Sequence, residues 1–346
     1  MNVLILNNMA PFVRGGAEEL AGHLCAHLNS TPGVQAEVLR VPFSWEPFER
    51  LADEIFLNRT LQLSNVDRVI GLKFPAYLIP HHNKVLWVLH QYRQAYDLRD
   101  RGESNIPATP AGEKICELVR RADAEVFAGC RRLFAQSKTI QDRLKRYNGV
   151  AEPVLMQPLN YPEWFSDCGD GGYIFAGGRV NAGKRQHLLV EAMASTKSGA
   201  KLIVAGPPDT PDDANRLQQI VRRFKLEDRV TLDLGYHPLA KIADYVNHAR
   251  VCASIPVDED CLAYVTMEAA SASKPIIALT DSGGVLQLVL DGETGCVASP
   301  DPKSIAEAID LLFSDTSRSA QMGRAARKLL DSFELTWPNT IEKLLS

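Results

Sequence analysis

The chain has 346 residues, too many for one ordinary core and about right for two domains. Its 45% hydrophobic and 23% charged residues form an ordinary globular balance, and a net charge of −4 gives no reason to expect a nucleic-acid partner. Residues 1–165 carry 19 Lys and Arg against 18 Asp and Glu, and the rest carry 19 against 24, so an anionic ligand in the second half needs a local cationic pocket.

The opening Met1-Asn2-Val3-Leu4-Ile5-Leu6 lacks a basic run and reads as a first strand, not a signal peptide. A glycine loop follows, then a helix carrying Leu20, Leu24 and Leu28 at four-residue spacing, stopped by Asn29-Ser30-Thr31-Pro32-Gly33. Further strands are predicted at 37–41, 68–72, 84–90, 133–135 and 153–156, with helices around 47–57, 111–127 and 138–147. Residues 157–172, with two prolines and three glycines, break the pattern. Strands then resume at 173–176, 202–205, 230–234, 251–255 and 275–278, separated by helices near 185–196, 211–225, 238–247, 265–273 and 302–313. A last helix, 338–345, follows Trp337-Pro338.

Alternating strands and helices imply α/β architecture with parallel sheets covered on both faces. The expected organisation is an N-terminal Rossmann-like domain over 1–160, a linker at 161–172, a second Rossmann-like domain over 173–331, and a terminal segment, 332–346, packing back on the first domain. Such sheets bind ligands at the carboxyl ends of their strands, where strand order reverses, and two of them facing a central cleft suit two-substrate chemistry. Seven scattered cysteines without a CxxC pair read as free thiols in a reducing compartment. No apolar run approaches the ~20 residues that span a bilayer. The expectation is a cytoplasmic protein, or one attached peripherally to a membrane.

Two loops carry chemistry. Gly177-Gly178-Arg179 follows a strand, and Lys184 stands where the next helix is expected to open. Loop amides, a helix N-terminus and two cations suit a diphosphate. The stretch also nearly spells a P-loop, Gly178 through Gly183-Lys184, but Arg185 stands where Mg²⁺ ligation needs Ser or Thr. The second loop is Val257-Asp258-Glu259-Asp260-Cys261-Leu262-Ala263-Tyr264-Val265-Thr266-Met267-Glu268, entering a helix at Glu268-Ala269-Ala270. Its carboxylates can accept bonds from sugar and ribose hydroxyls, while Asp258-Glu259-Asp260 alone also fits a metal-binding DxD or an exposed acidic turn.

Lys184 with Gly178-Arg179, then Tyr264–Ala269, Lys274-Pro275-Ile276-Ile277-Ala278, Asp281-Ser282-Gly283-Gly284 and Asp291-Gly292-Glu293-Thr294-Gly295 together resemble retaining glycosyltransferases of family 4, which have the GT-B fold. The resemblance is strongest over 173–298. It implies that Arg179 and Lys184 hold the donor diphosphate, that Glu268 binds ribose hydroxyls, and that amides around Tyr264, Val265 and Thr266 face sugar and phosphates. Gly15 and Gly16, after Asn7-Asn8 and Arg14, resemble the N-terminal loop that closes over the donor. His90 resembles the histidine that touches the transferred sugar, and Tyr236 and His237 lie where the base-binding loop falls. The sugar-binding acid is either Glu259, with a one-residue insertion after it, or Asp260, at the family's eight-residue spacing from Glu268. Leu262 or Ala263 replaces a usual glycine, and Gln287 stands where a Glu is common.

The resemblance implies transfer of a hexose from a UDP- or GDP-linked donor to a saccharide or lipid-linked acceptor, with retention, in bacterial polysaccharide or glycolipid synthesis. No cofactor and no metal are implied. Arg131-Arg132 and Lys145-Arg146 are candidates for peripheral contact with the inner membrane or an anionic lipid acceptor. The competing readings are a catalytically silent nucleotide-sugar-binding subunit and another GT-B enzyme, such as a sugar-nucleotide epimerase or a phosphorylase.

Overall fold

The computed structural model describes residues 1–12 and 15–346; Val13 and Arg14, the latter named in the glycine loop above, lie outside the described residues. The chain divides into two units, Met1–Pro158 with Thr336–Ser346, and Leu159–Leu335.

The first unit is built on strands β1 (Asn2–Met9), β2 (Gln35–Pro42), β3 (Arg68–Lys73), β4 (Lys84–His90) and β5 (Arg132–Ala135). All pair in parallel, in the order β2-β1-β3-β4-β5, so strand order reverses between β1 and β3. Strand β4 shows why such a run reads as continuously apolar. Val85, Trp87 and Leu89 pack with Leu20, Leu24 and Leu28 on one face, while Leu86 and Val88 pack with Tyr77, Tyr96 and Val119 on the other. The final helix, Trp337–Leu345, joins the first of these clusters through Trp337, Ile341 and Leu344. Trp337 stacks on His27 with ring centroids 4.7 Å apart, and Arg68 donates to the Leu344 carbonyl at 3.2 Å.

The second unit holds β6 (Tyr173–Gly177), β7 (Lys201–Ala205), β8 (Val230–Asp233), β9 (Val251–Ala253), β10 (Ile276–Leu279) and β11 (Gly295–Ala298). These are parallel too, in the order β11-β10-β9-β6-β7-β8, with the reversal between β6 and β9. Both loops singled out in the sequence, after β6 and after β9, therefore flank this unit's switch point.

Several local expectations are corrected. Residues 153–156 form no strand; a lone bridge joins Val154 to Ala135, and Pro153 has no N–H to extend it. Lys184 does not open a helix. Ala182–Lys184 is a 3₁₀ turn capped by Asn181, whose side chain accepts from Lys184 N at 2.9 Å, and the helix is only Gln186–Ala192. The helix expected near 265–273 is Tyr264–Ser271, with Glu268 inside it. Among the elements not anticipated are β11 and the helix Thr316–Ser332. The buried face of that helix is Ser319, Met322, Gly323, Ala326 and Leu330, mostly small residues that give little apolar periodicity.

Candidate active site

In the second unit, β6 runs into Gly177-Gly178-Arg179. A Cβ on Gly206, at φ 142°, would lie 2.0 Å from the Gly178 carbonyl, so the loops after β6 and β7 touch backbone to backbone. Arg179 is partly exposed and meets both Asp209 carboxylate oxygens at 3.2 Å, and Asn181 donates to the same carboxylate at 2.9 Å. Lys184 forms an ion pair with Glu259, both side chains partly buried. The two cations expected to hold a diphosphate are thus each matched to a carboxylate, and a bound diphosphate would compete with Asp209 and Glu259 for them.

The acidic loop is fixed by its backbone. Gly284 N donates to Glu259 O at 2.7 Å, Asp258 N to Asp281 O at 2.7 Å, and Val257 N to Gly183 O at 2.8 Å. A Cβ on Gly283 (φ 62°) would sit 2.4 Å from the Glu259 carbonyl, so the loop lies directly on the Gly283-Gly284 turn. Glu259 is thereby held against Lys184. Among the described residues, no three His, Cys, Asp or Glu side chains are grouped as metal ligands.

The helix Tyr264–Ser271 points its first turn toward this loop's end. The Thr266 side chain is buried and donates to Ser254 Oγ at 3.0 Å, and its amide bonds the Ala263 carbonyl at 3.0 Å. The Thr266 hydroxyl thus holds the helix to the segment after β9. Tyr264 and Val265 remain as first-turn residues whose amides lie at a helix N-terminus. Glu268 is 7% exposed, and its Oε2 has no hydrogen-bond partner. Burial pushes its carboxyl up to about 7. Tyr236 is 76% exposed on the loop after β8, and beside it His237 bonds the Asp233 carbonyl at 2.9 Å.

Sequence reasoning missed Arg185. It was noticed only as the wrong residue for a P-loop. The structure buries it to 6% exposure in the left-handed region (φ 56°, ψ 24°), a conformation costing a non-glycine residue about 1–3 kcal/mol. Its guanidinium holds the Asp281 carboxyl below the usual carboxylate range. Asp209, the partner of Arg179, was also missed. Neither had a local signal, because their partners lie far away in sequence.

In the first unit, Gly15 caps the helix Gly16–Asn29, and the Glu18 carboxylate accepts from Gly15 N at 2.9 Å. That helix start is already served by an acidic side chain. His90 ends β4 opposite Lys73 of β3, and its Nδ1 lies 2.7 Å from the Gln91 carbonyl. Nδ1 therefore carries the proton in neutral His90, and Nε2 is an acceptor. Of the basic pairs, Arg146 binds Asp100 at 3.0 Å and Arg132 donates to Ser346 Oγ at 2.6 Å.

Two parallel sheets, each with its own switch point, make an α/β architecture of the GT-B class. Residues 169–329 match the family model described as glycosyl transferases group 1. An alpha-maltose-1-phosphate synthase of Mycolicibacterium smegmatis is 28% identical over 167 residues, 46% of this chain and 42% of that protein. The chain thus spans less than half the length of this curated relative. Among solved structures, sucrose-phosphate synthase from Thermosynechococcus elongatus superposes with a TM-score of 0.74 at 17% identity, covering 99% of this chain and 96% of that one. The Anabaena protein HepE, in complex with UDP and glucose, gives a TM-score of 0.73 at 16% identity, covering 100% and 98%. These likenesses show the GT-B fold. No helix of the described residues is long and apolar enough to cross a membrane.

Proposed function

We propose that the chain transfers a hexose from a nucleotide-sugar to a saccharide or lipid-linked acceptor with retention of configuration and without a metal ion or cofactor. The observation that carries this reading is Glu268, a buried carboxylate with an unpartnered oxygen beside the sheet's switch point. Ribose hydroxyls would supply the missing bonds and offset its desolvation. Arg179, Lys184 and the Tyr264 and Val265 amides would stabilise the departing nucleoside diphosphate, the main electrostatic demand of an oxocarbenium-like transition state. Glu259, now paired with Lys184, is assigned to the sugar hydroxyls in preference to Asp260. The donor belongs to the second unit, with Tyr236 toward the base, and the acceptor to the first, near Gly15, Gly16 and His90. The complex of HepE with UDP and glucose supports a UDP-linked sugar, with GDP-linked sugars the alternative. Bacterial polysaccharide or glycolipid synthesis at the cytoplasmic face of a membrane is the setting this chemistry suits.

The test is a thermal-shift screen across UDP-, GDP-, TDP- and ADP-sugars, followed by product analysis with acceptors in EDTA. A ligand at 100 times its Kd adds about 2.7 kcal/mol of stability, which the screen detects. Turnover lost in EDTA and restored by Mn²⁺ would make Asp258-Glu259-Asp260 a metal site and overturn the metal-free assignment. The carboxylates already occupying Arg179 and Lys184 favour one second reading, a subunit that binds nucleotide-sugar without turning it over. Donor binding with neither transfer nor hydrolysis would select it.

A further inference from the structure

Strand β6 ends at Gly177, β9 at Ala253 and β10 at Leu279, so the ladder among these neighbouring strands stops short of the loops that carry Lys184, Glu259 and Gly283. Something else has to hold those loops together. Arg185 donates to the Ile255 carbonyl at 2.8 Å, to the Pro256 carbonyl at 2.6 Å, and to the two oxygens of Asp281 at 2.7 and 2.9 Å. All four bonds lie beyond the strand ends. They sit beside the three backbone bonds, from Val257 N, Asp258 N and Gly284 N, that join the same loops. A planar guanidinium with five fixed donors can bridge two carbonyls and a carboxylate at once; an ammonium cannot reproduce that geometry.

We propose that Arg185 is a positioning residue for sugar transfer: it locks segments 181–185, 255–259 and 281–284 in one register and so sets where Lys184 stands relative to Glu259. It acts through those two residues. The proposal rests on the glycosyl-transfer reading above, since Lys184 and Glu259 have work to do only if a nucleotide-sugar binds. The left-handed backbone at Arg185 fits the assignment: glycine would adopt it without strain, yet the chain places there the one side chain able to make the clamp.

The experiment compares the full chain with Arg185→Gly, Arg185→Lys and Asp281→Asn. Glycine relieves the backbone and removes the clamp, so it separates the two effects. The readouts are kcat and KM with UDP-glucose and GDP-mannose as donors, melting temperature, and hydrogen exchange at Val257, Asp258 and Gly284. We expect Arg185→Gly to keep its melting temperature, lose about tenfold to a hundredfold in kcat, and exchange those amides faster, with Arg185→Lys partly restoring turnover. Turnover within about threefold of the parent, or unchanged exchange at the three amides, overturns the proposal. If Arg185→Gly does not fold, Asp281→Asn, which leaves the carbonyl bonds in place, decides by the same two readouts. A parent protein that transfers no sugar from any donor would defeat the glycosyl-transfer reading, whereas unchanged amide exchange in the variants would defeat the clamp.

Discussion

Two buried carboxylates, Asp123 in the first unit and Glu268 in the second, are kept in opposite circumstances. Asp123 of the first unit is fully buried and accepts from Tyr77 and Tyr96, each at 2.8 Å. Glu268 of the second is 7% exposed, yet among the described residues one of its oxygens has no partner. Burial pushes both carboxyls up to about 7. Asp123 has been answered from within the fold, by tyrosines on neighbouring elements, and it belongs to the core. Glu268 is left to be answered from outside. A perturbed carboxyl therefore does not by itself mark a site; the missing partner does.

The comparison breaks most readily at Asp123. Asp123→Ala strands two buried tyrosine hydroxyls, and chemical denaturation should show a loss of about 2–5 kcal/mol. Nucleotide affinity should stay within a few-fold. Glu268→Gln should do the reverse. Its folded carboxyl is raised, so the native state holds a proton that the unfolded chain releases above about pH 4.5. Stability contributed by that proton is present below this pH and is lost as pH rises toward 7. Denaturation at pH 8 should therefore find the glutamine variant more stable than the parent, by about 2–3 kcal/mol. A less stable variant would mean that Glu268 is answered within the protein after all. Calorimetry should show the same substitution weakening nucleoside diphosphate and nucleotide-sugar alike, because ribose is common to both.

Glu259→Ala tests the neighbouring acid. It should weaken nucleotide-sugar by about tenfold to a hundredfold, the equivalent of a charged hydrogen bond, and spare the free nucleoside diphosphate. Equal losses on both ligands would defeat the division between sugar and ribose. A larger loss of transfer from Asp260→Ala would hand the sugar to Asp260. The smallest effect on binding belongs to His90→Ala, which should slow transfer and leave nucleotide affinity within a few-fold; collapse of that affinity would remove His90 from the acceptor side.

Much of the architecture was legible because parallel strands buried on both faces must be apolar throughout, as in Lys84–His90, and such runs stand out between helical periods. The helix Thr316–Ser332 escaped because three of the five residues on its packed face, Ser319, Gly323 and Ala326, are small. The loops of the candidate site could be found from glycine, cation and carboxylate spacing, which are local signals. What those groups pair with could not. Arg179 meets Asp209, Lys184 meets Glu259 and Arg185 meets Asp281, contacts set by which strands are neighbours in the sheet. The Thr266 hydroxyl is likewise spent on Ser254, a pairing that no local pattern announces.

The return of the chain to its first unit has a consequence for synthesis. The face carrying Leu24, Leu28, Val85 and Trp87 is covered by Trp337, Ile341 and Leu344, which are translated only after the whole second unit. The second unit is contiguous and can close as soon as residue 335 has emerged. The first begins earlier but finishes later, keeping an apolar flank open through the whole translation of its successor. A nascent chain halted before Thr336 would hold a complete second unit beside an unsealed first one, and it is the first that chaperones would be expected to grip.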